Sequence, residues 1–234
     1  EGSHVTITDL YFSGVGGWPR CAGCPAAIEL EVDYTRVTQT AFERYFTNEE
    51  YDPNHPDAAD YSQVRFRGYH HRVDHSRFDQ HLGMGATIAA DGRNLDGPHY
   101  PIIHRNFFGT RPDAEANGCE SIQAIGDDAG PDFAFISENY FENLLTGSSR
   151  ENEVLSNKAS ENRILYNAFS NIGGQVTLRQ GQHALVYGNF FFDRGSIRVH
   201  GVGHVVVNNY FDVTGTEPAL IIGNGNTIGG MQTG

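Results

Sequence analysis

Apolar and polar residues alternate along this chain in short runs, and one phrase keeps returning, roughly apolar-x-apolar-x-Asn-aromatic-Phe. It reads ITDLYF ending at Phe12, VTQTAF at Phe42, VDHSRF at Phe78 and IIHRNFF at Phe108. It returns as ISENYF at Phe141, ILYNAF at Phe169, LVYGNFF at Phe191 and VVVNNYF at Phe211. The intervals between copies are uneven, widest from Phe42 to Phe78 and narrowest from Phe191 to Phe211. Period-two alternation rich in Val, Ile, Tyr and Phe reads each phrase as a strand. No segment carries a long apolar period of the helical kind. Repeats with irregular spacing predict coils with variable loops, not helical repeats of fixed length.

The predicted architecture is therefore all-β, a right-handed parallel β-helix forming a single domain over residues 1–234. The recurring Phe should stack inside the coils. Asn106, Asn139, Asn167, Asn189 and Asn209 should occupy turns and bond the backbone of neighbouring coils. An antiparallel sandwich would instead need hairpin turns such as Asn-Gly. Only Asn117-Gly118 and Asn224-Gly225 are of that kind. The polar, proline-containing segment 47–61 is expected to be an excursion loop.

Adjacent coils place equivalent residues side by side, about 4.8 Å apart. Lys158, Arg179 and His200 are equally spaced, and they precede Phe169, Phe191 and Phe211 by nearly the same interval. With one residue from each coil, they should form one surface column. Lys158 is the only lysine beside fifteen arginines. A lone lysine either marks a place where an amine must release a proton, which arginine does not do, or is an ordinary solvated charge. Glu151 and Glu153 are separated by a single residue and would share one face of an extended segment. They form either a solvated acidic pair or hard oxygen ligands suited to Ca²⁺. Asn117 could add a neutral oxygen from the preceding coil.

Composition narrows the class of partner. The formal net charge is −13, which argues against general nucleic-acid binding. A polyanion would have to meet a local basic strip or a bound cation. No apolar run is long enough for a transmembrane helix, so no membrane partner is expected. Cys21 and Cys24 form a C-x-x-C with no second pair or matching His set, which suits a local disulfide or two thiols better than zinc. Cys119 has no evident partner in the sequence.

In HRVDHSRF, HRNFFGTRP, NG-x-ES-I, ENYFEN, ENEVLSNKAS, TLRQG, GNFF and GSIRVHGVGHVVVNNYF, taken in order over residues 4 to 213, the chain resembles polysaccharide lyase family six. That family includes alginate lyases and chondroitinase B. The resemblance implies a secreted or periplasmic, calcium-assisted enzyme that cuts an anionic polysaccharide by β-elimination. It places the base on Lys158 and the catalytic arginine on Arg179. It places the Ca²⁺ ligands on Asn117, Glu151 and Glu153. Substrate contacts fall on Arg111, Gln180, Arg198 and His200. The chain departs from the family pattern at Gln180, where His is usual, and at Gln123, where Arg is usual. Segment 81–93 follows the family's substrate loop only loosely. The resemblance also implies that N-terminal coils and much of a C-terminal portion are missing.

Alginate is the expected substrate and a dermatan- or chondroitin-type glycosaminoglycan the second choice. A β-helical glycoside hydrolase using Glu151 and Glu153 as acid and base is a different reading, in which the Lys–Arg column has no role. A non-catalytic carbohydrate-binding β-helix is a third.

Overall fold

The computed structural model describes residues 4–13, 26–44, 62–81, 85–93, 95–111, 119–126, 130–144, 153–214 and 218–223. Cys21, Cys24 and the segment 47–61 lie outside them. The described residues form three sheets of eight strands each, and every pairing is parallel. The first sheet runs from Val5–Thr8 to Val205–Val207, the second from Tyr11–Ser13 to Tyr210–Val213, and the third from Ala26–Leu30 to Leu220–Ile222. Each coil contributes one strand to each sheet in that order, so the chain winds as a right-handed parallel β-helix.

The repeated phrase proves to be two strands around a corner, where the sequence pattern suggested one. Ile102–His104 belongs to the first sheet and Phe107–Phe108 to the second. Arg105 between them has φ +54°, and the equivalent Gln39, His75, Glu138, Tyr166, Gly188 and Asn208 are also left-handed, between 48° and 67°. One left-handed residue turns the strand direction without breaking the register of the coil above or below.

The following residue explains why the corner is stable. Asn106, Asn139, Asn167 and Asn189 are buried, 0 to 2 % exposed. The backbone N–H of Asn106 donates to Oδ1 of Asn139 at 3.0 Å, and Asn139, Asn167 and Asn189 repeat the bond to the next Asn at 3.0, 2.9 and 3.0 Å. The other end of each amide donates backwards, as Asn139 Nδ2 does to the carbonyl of Ile103 at 2.9 Å. Each asparagine thus replaces the strand hydrogen bonds that the corner removes. Asn139→Ala should leave the buried Asn106 N–H without an acceptor, at a cost of about 2–3 kcal/mol. Urea unfolding would register it as a lower midpoint at unchanged slope.

Next to the corner, one ring per coil enters the core. Phe12, Phe42, Phe78, Phe108, Phe141, Phe169, Phe191 and Phe211 form a single file of stacked rings, with successive centroids 4.5 to 5.2 Å apart. Ile and Val from the first and third sheets fill the rest of the interior.

A polar group also sits inside, between the third sheet and the first. His71 is 1 % exposed. Burial is the largest influence on it and pushes its pKa down from 6.5 to about 4; Asp33 opposes this, and the neighbouring His70 and His99 reinforce it. The folded state therefore resists a proton that the unfolded chain accepts below about pH 6.5. Stability is fully present above that pH and declines as pH falls toward 4, by on the order of 2–3 kcal/mol. The urea midpoint should drop over this window in the parent protein and drop less in His71→Leu.

Candidate functional site

The outer face of the third sheet carries the sequence-singled residues, and strand register decides which of them meet. Ala124, Asn157, Leu178 and Val199 are partners in successive coils. The residues that follow them, Ile125, Lys158, Arg179 and His200, therefore form one outward row. Backbone bonds continue the ladder through this row, from Arg179 N to Asn157 O and from His200 N to Leu178 O, both 2.9 Å. The next row inward along the strands is Gln123, Ser156, Thr177 and Arg198.

The motifs explain why these side chains are held so firmly. Asn157, within SNK, points inward and is fully buried; its Nδ2 donates to Ala159 O at 2.8 Å and its Oδ1 accepts from Asn162 Nδ2 at 2.6 Å. Asn162 Oδ1 in turn accepts from Ala134 N at 2.7 Å. This chain of amides pins the strand end from which Lys158 projects. In LRQG, Gly181 has φ +83°, and a Cβ there would lie 2.3 Å from the Ala159 carbonyl carbon. Only glycine lets the chain after Arg179 pass this close to the Lys158 coil.

Glu153 opens the strand Glu153–Lys158, and a bulge separates it from Leu155. Val154 takes the extra position and joins the core. The bulge re-aims the preceding side chain, and the Glu153 carboxylate reaches Arg179, with Oε1 3.7 Å from Nη1. The Glu153 side chain is only 4 % exposed, against 32 % for Arg179.

One coil earlier lies Glu120, to which the sequence reading gave no role. The bond from Ser121 N to Val154 O, 2.8 Å, places Glu120 and Glu153 at matching positions of adjacent coils. Glu120 is buried; its Oε1 lies 3.9 Å from Lys158 Nζ and accepts from Gln123 Nε2 at 3.3 Å. Its Oε2 is buried without a hydrogen-bond partner among the described residues. The phrase NG-x-ES-I contained this residue. The available signal was its interval to Glu153, which equals the coil length from Phe108 to Phe141.

The remaining sequence-singled residues divide. Asn117 and Glu151 lie outside the described residues. Arg198 is exposed on the outer face, Gln180 is half-buried just past Arg179, and His200 is buried beside it. Arg111 is not on the outer face. It is 2 % exposed, and its guanidinium donates to Thr87 Oγ1 at 3.1 Å, Glu120 O at 2.9 Å and Gly85 O at 2.7 Å. Burial lowers its pKa, against the opposing pull of Cys119 and Glu120. The expectation that Arg111 contacts substrate gives way to a brace that fixes the backbone of Glu120. Cys119 is buried next to that backbone.

The site is therefore a cationic row, Lys158 and Arg179, laid against carboxylates that water does not reach. That donor set suits a hard cation: an anionic oxygen buried without a hydrogen-bond donor is costly unless a positive charge meets it.

Residues 1–220 match the family described as chondroitinase B. A search of curated proteins finds no match. Among solved structures, the chain is similar to AlyGC, an alginate lyase of polysaccharide lyase family six. The identity is 29 % and the TM-score 0.73, covering 86 % of this chain and 29 % of that one. It is similar to a mannuronic acid specific family six lyase from human gut microbiota at 23 % identity and TM-score 0.73, covering 93 % and 48 %. It is also similar to Pedsa3628, a family six lyase from Pseudopedobacter saltans, at 26 % identity and TM-score 0.67, covering 80 % and 44 %. The chain thus spans less than half the length of each of these neighbours.

Proposed function

This chain belongs to the chondroitinase B family, polysaccharide lyase family six, and on that premise we propose that it cleaves a uronate-containing polysaccharide by β-elimination, with alginate as first substrate. The observation that carries this reading is the adjacency of Lys158 and Arg179 on one outward row, 3.9 and 3.7 Å respectively from a buried carboxylate.

The chemistry asked of these residues is simple to balance. Lys158, as the free amine, takes the C5 proton of a uronate. The electron pair left on C5 forms the C4–C5 double bond as the C4–O4 bond breaks. Arg179 holds the uronate carboxylate, so the charge that develops there meets a fixed guanidinium. O4 leaves with the bonding pair and takes up a proton from water, and Arg179 is the group on the row that can stabilise its negative charge until it does. Arg198 and His200, one coil further, offer positive charge or hydrogen bonds to the next sugar, and Gln180 offers a neutral donor beside Arg179.

A calcium ion would be held by Asn117, Glu151 and Glu153, and when bound it would supply positive charge that stabilises the ionised carboxylate and the carbanion-like state. The buried carboxylates next to the cationic row support that reading. Alginate ranks above a dermatan-type glycosaminoglycan because the neighbour at 29 % identity is described as an alginate lyase. Export to the periplasm or the medium, where such polymers are met, belongs to the same proposal.

One assay separates the readings. Polymannuronate, polyguluronate and dermatan sulfate are each incubated with the protein, and ultraviolet absorbance and reducing ends are followed together. Elimination makes an unsaturated uronate end that absorbs. Reducing ends without absorbance would indicate a hydrolase, and the proposal would fail; no change in either on any of these polymers would leave only a binding module.

A further inference from the structure

We infer that Glu120 is a further ligand of the divalent cation, a third carboxylate that closes the site from the coil before Glu153. The inference rests on the calcium reading above and adds a residue to it. Glu120 and Glu153 occupy matching positions of adjacent coils, so their backbones are about 4.8 Å apart. Both side chains are buried, at 3 and 4 % exposure. Two buried carboxylates at matching positions of neighbouring coils need positive charge to meet them.

The protein's own cations do not complete the task for Glu120. Lys158 Nζ stands 3.9 Å from Oε1, outside hydrogen-bonding distance. Gln123, a neutral amide on the strand that follows, also addresses Oε1, at 3.3 Å. Oε2 has no hydrogen-bond partner among the described residues although it is fully buried. Arg111 does not neutralise it through a hydrogen bond to the carboxylate. Its guanidinium takes the Glu120 main-chain carbonyl at 2.9 Å instead. That bond, with those to Gly85 and Thr87, makes the segment rigid and holds the carboxylate in place. A rigid, buried carboxylate oxygen whose lone pairs meet no hydrogen-bond donor is what a hard divalent ion binds.

The arrangement predicts two opposite ways to weaken the site. Glu120→Gln removes the charge and keeps the shape. Gln123→Arg keeps Glu120 and gives it a guanidinium partner that competes with the ion. Titration of the metal-free chain with CaCl₂ by isothermal calorimetry should show both variants binding at least about tenfold more weakly than the parent. Circular dichroism should show the β signal unchanged. Glu151→Gln serves as the control for the site itself. If Glu151→Gln weakens calcium binding and neither Glu120→Gln nor Gln123→Arg does, Glu120 is not a ligand and the calcium reading survives without it. If the parent binds no calcium, or none of the three variants changes its binding, the calcium reading fails and this inference with it. Should Glu120→Gln lose its β signal, Gln123→Arg decides alone, since it leaves the carboxylate in place.

Discussion

Lys158→Arg should bind polymer nearly as the parent protein does and lose most of its turnover, with kcat down by roughly 10²–10⁴ for a missing general base and KM changed by no more than about threefold. The substitution preserves a positive charge on the row that also carries Arg179. It removes the only amine on that row and puts in its place a guanidinium, which stays protonated and cannot act as a base. The local frame should tolerate the change. Lys158 is the last residue of its strand and is partly exposed, and the buried Asn157–Asn162–Ala134 chain that fixes the strand end does not involve its side chain. Initial rates of unsaturated-end formation over a range of polymer concentrations give kcat and KM separately. A variant that keeps a tenth of the parent kcat would show that Lys158 is not the base, and His200, in line with it two coils away, would be tested next.

The parts of this molecule that could be read from the sequence are those that repeat. The phrase ending in Phe announced a solenoid because each coil must bury the same ring at the same place, and Phe108, Phe141, Phe169 and Phe191 indeed stack in one file. The asparagines announced a corner for a related reason: only a side chain carrying both donor and acceptor can bond the coil on either side. The phrase hid which residue turns the chain. Arg105, Glu138 and Tyr166 sit in left-handed conformations that no residue preference flagged, since the coil imposes them through its two neighbours. The row of Lys158, Arg179 and His200 was visible as an equal spacing.

The rest of the site was not visible, because it depends on what lies inside. Arg111 carries a charge in an FGTRP phrase and reads as a surface contact. The structure buries it because three carbonyl and hydroxyl oxygens from other segments converge on its guanidinium. Glu120 reads as one acid among twenty-nine acidic residues. Its interval to Glu153 marks a matching coil position, but that both side chains are buried appears only in the structure. Burial and cross-coil alignment are set by the length of the loops between strands, and these vary from coil to coil.

Chelation is the second large effect expected. Metal-free protein should form unsaturated ends at least about 10³-fold more slowly than calcium-loaded protein, and added CaCl₂ should restore the rate. The size follows from charge. Without a divalent ion, a substrate carboxylate entering beside Arg179 also meets Glu153, 3.7 Å from that guanidinium and almost fully buried, and Glu120 one coil away. In a site of low effective dielectric such like-charge contacts cost several kcal/mol. Each increment of about 1.4 kcal/mol in the barrier is a factor of ten in rate. The loss should fall on kcat and KM together, because those charges oppose binding of the substrate as well as the build-up of charge during reaction. Glu153→Gln separates the two roles of this residue. If Glu153 matters through the ion, the variant should resemble the chelated parent and respond to calcium only at far higher concentration. If it matters only by holding Arg179, the variant should keep the parent's calcium dependence and lose activity by a fixed factor at every calcium concentration. Undiminished turnover in chelated, metal-free parent protein would remove calcium from the mechanism and leave Arg179 as the group that meets the substrate carboxylate.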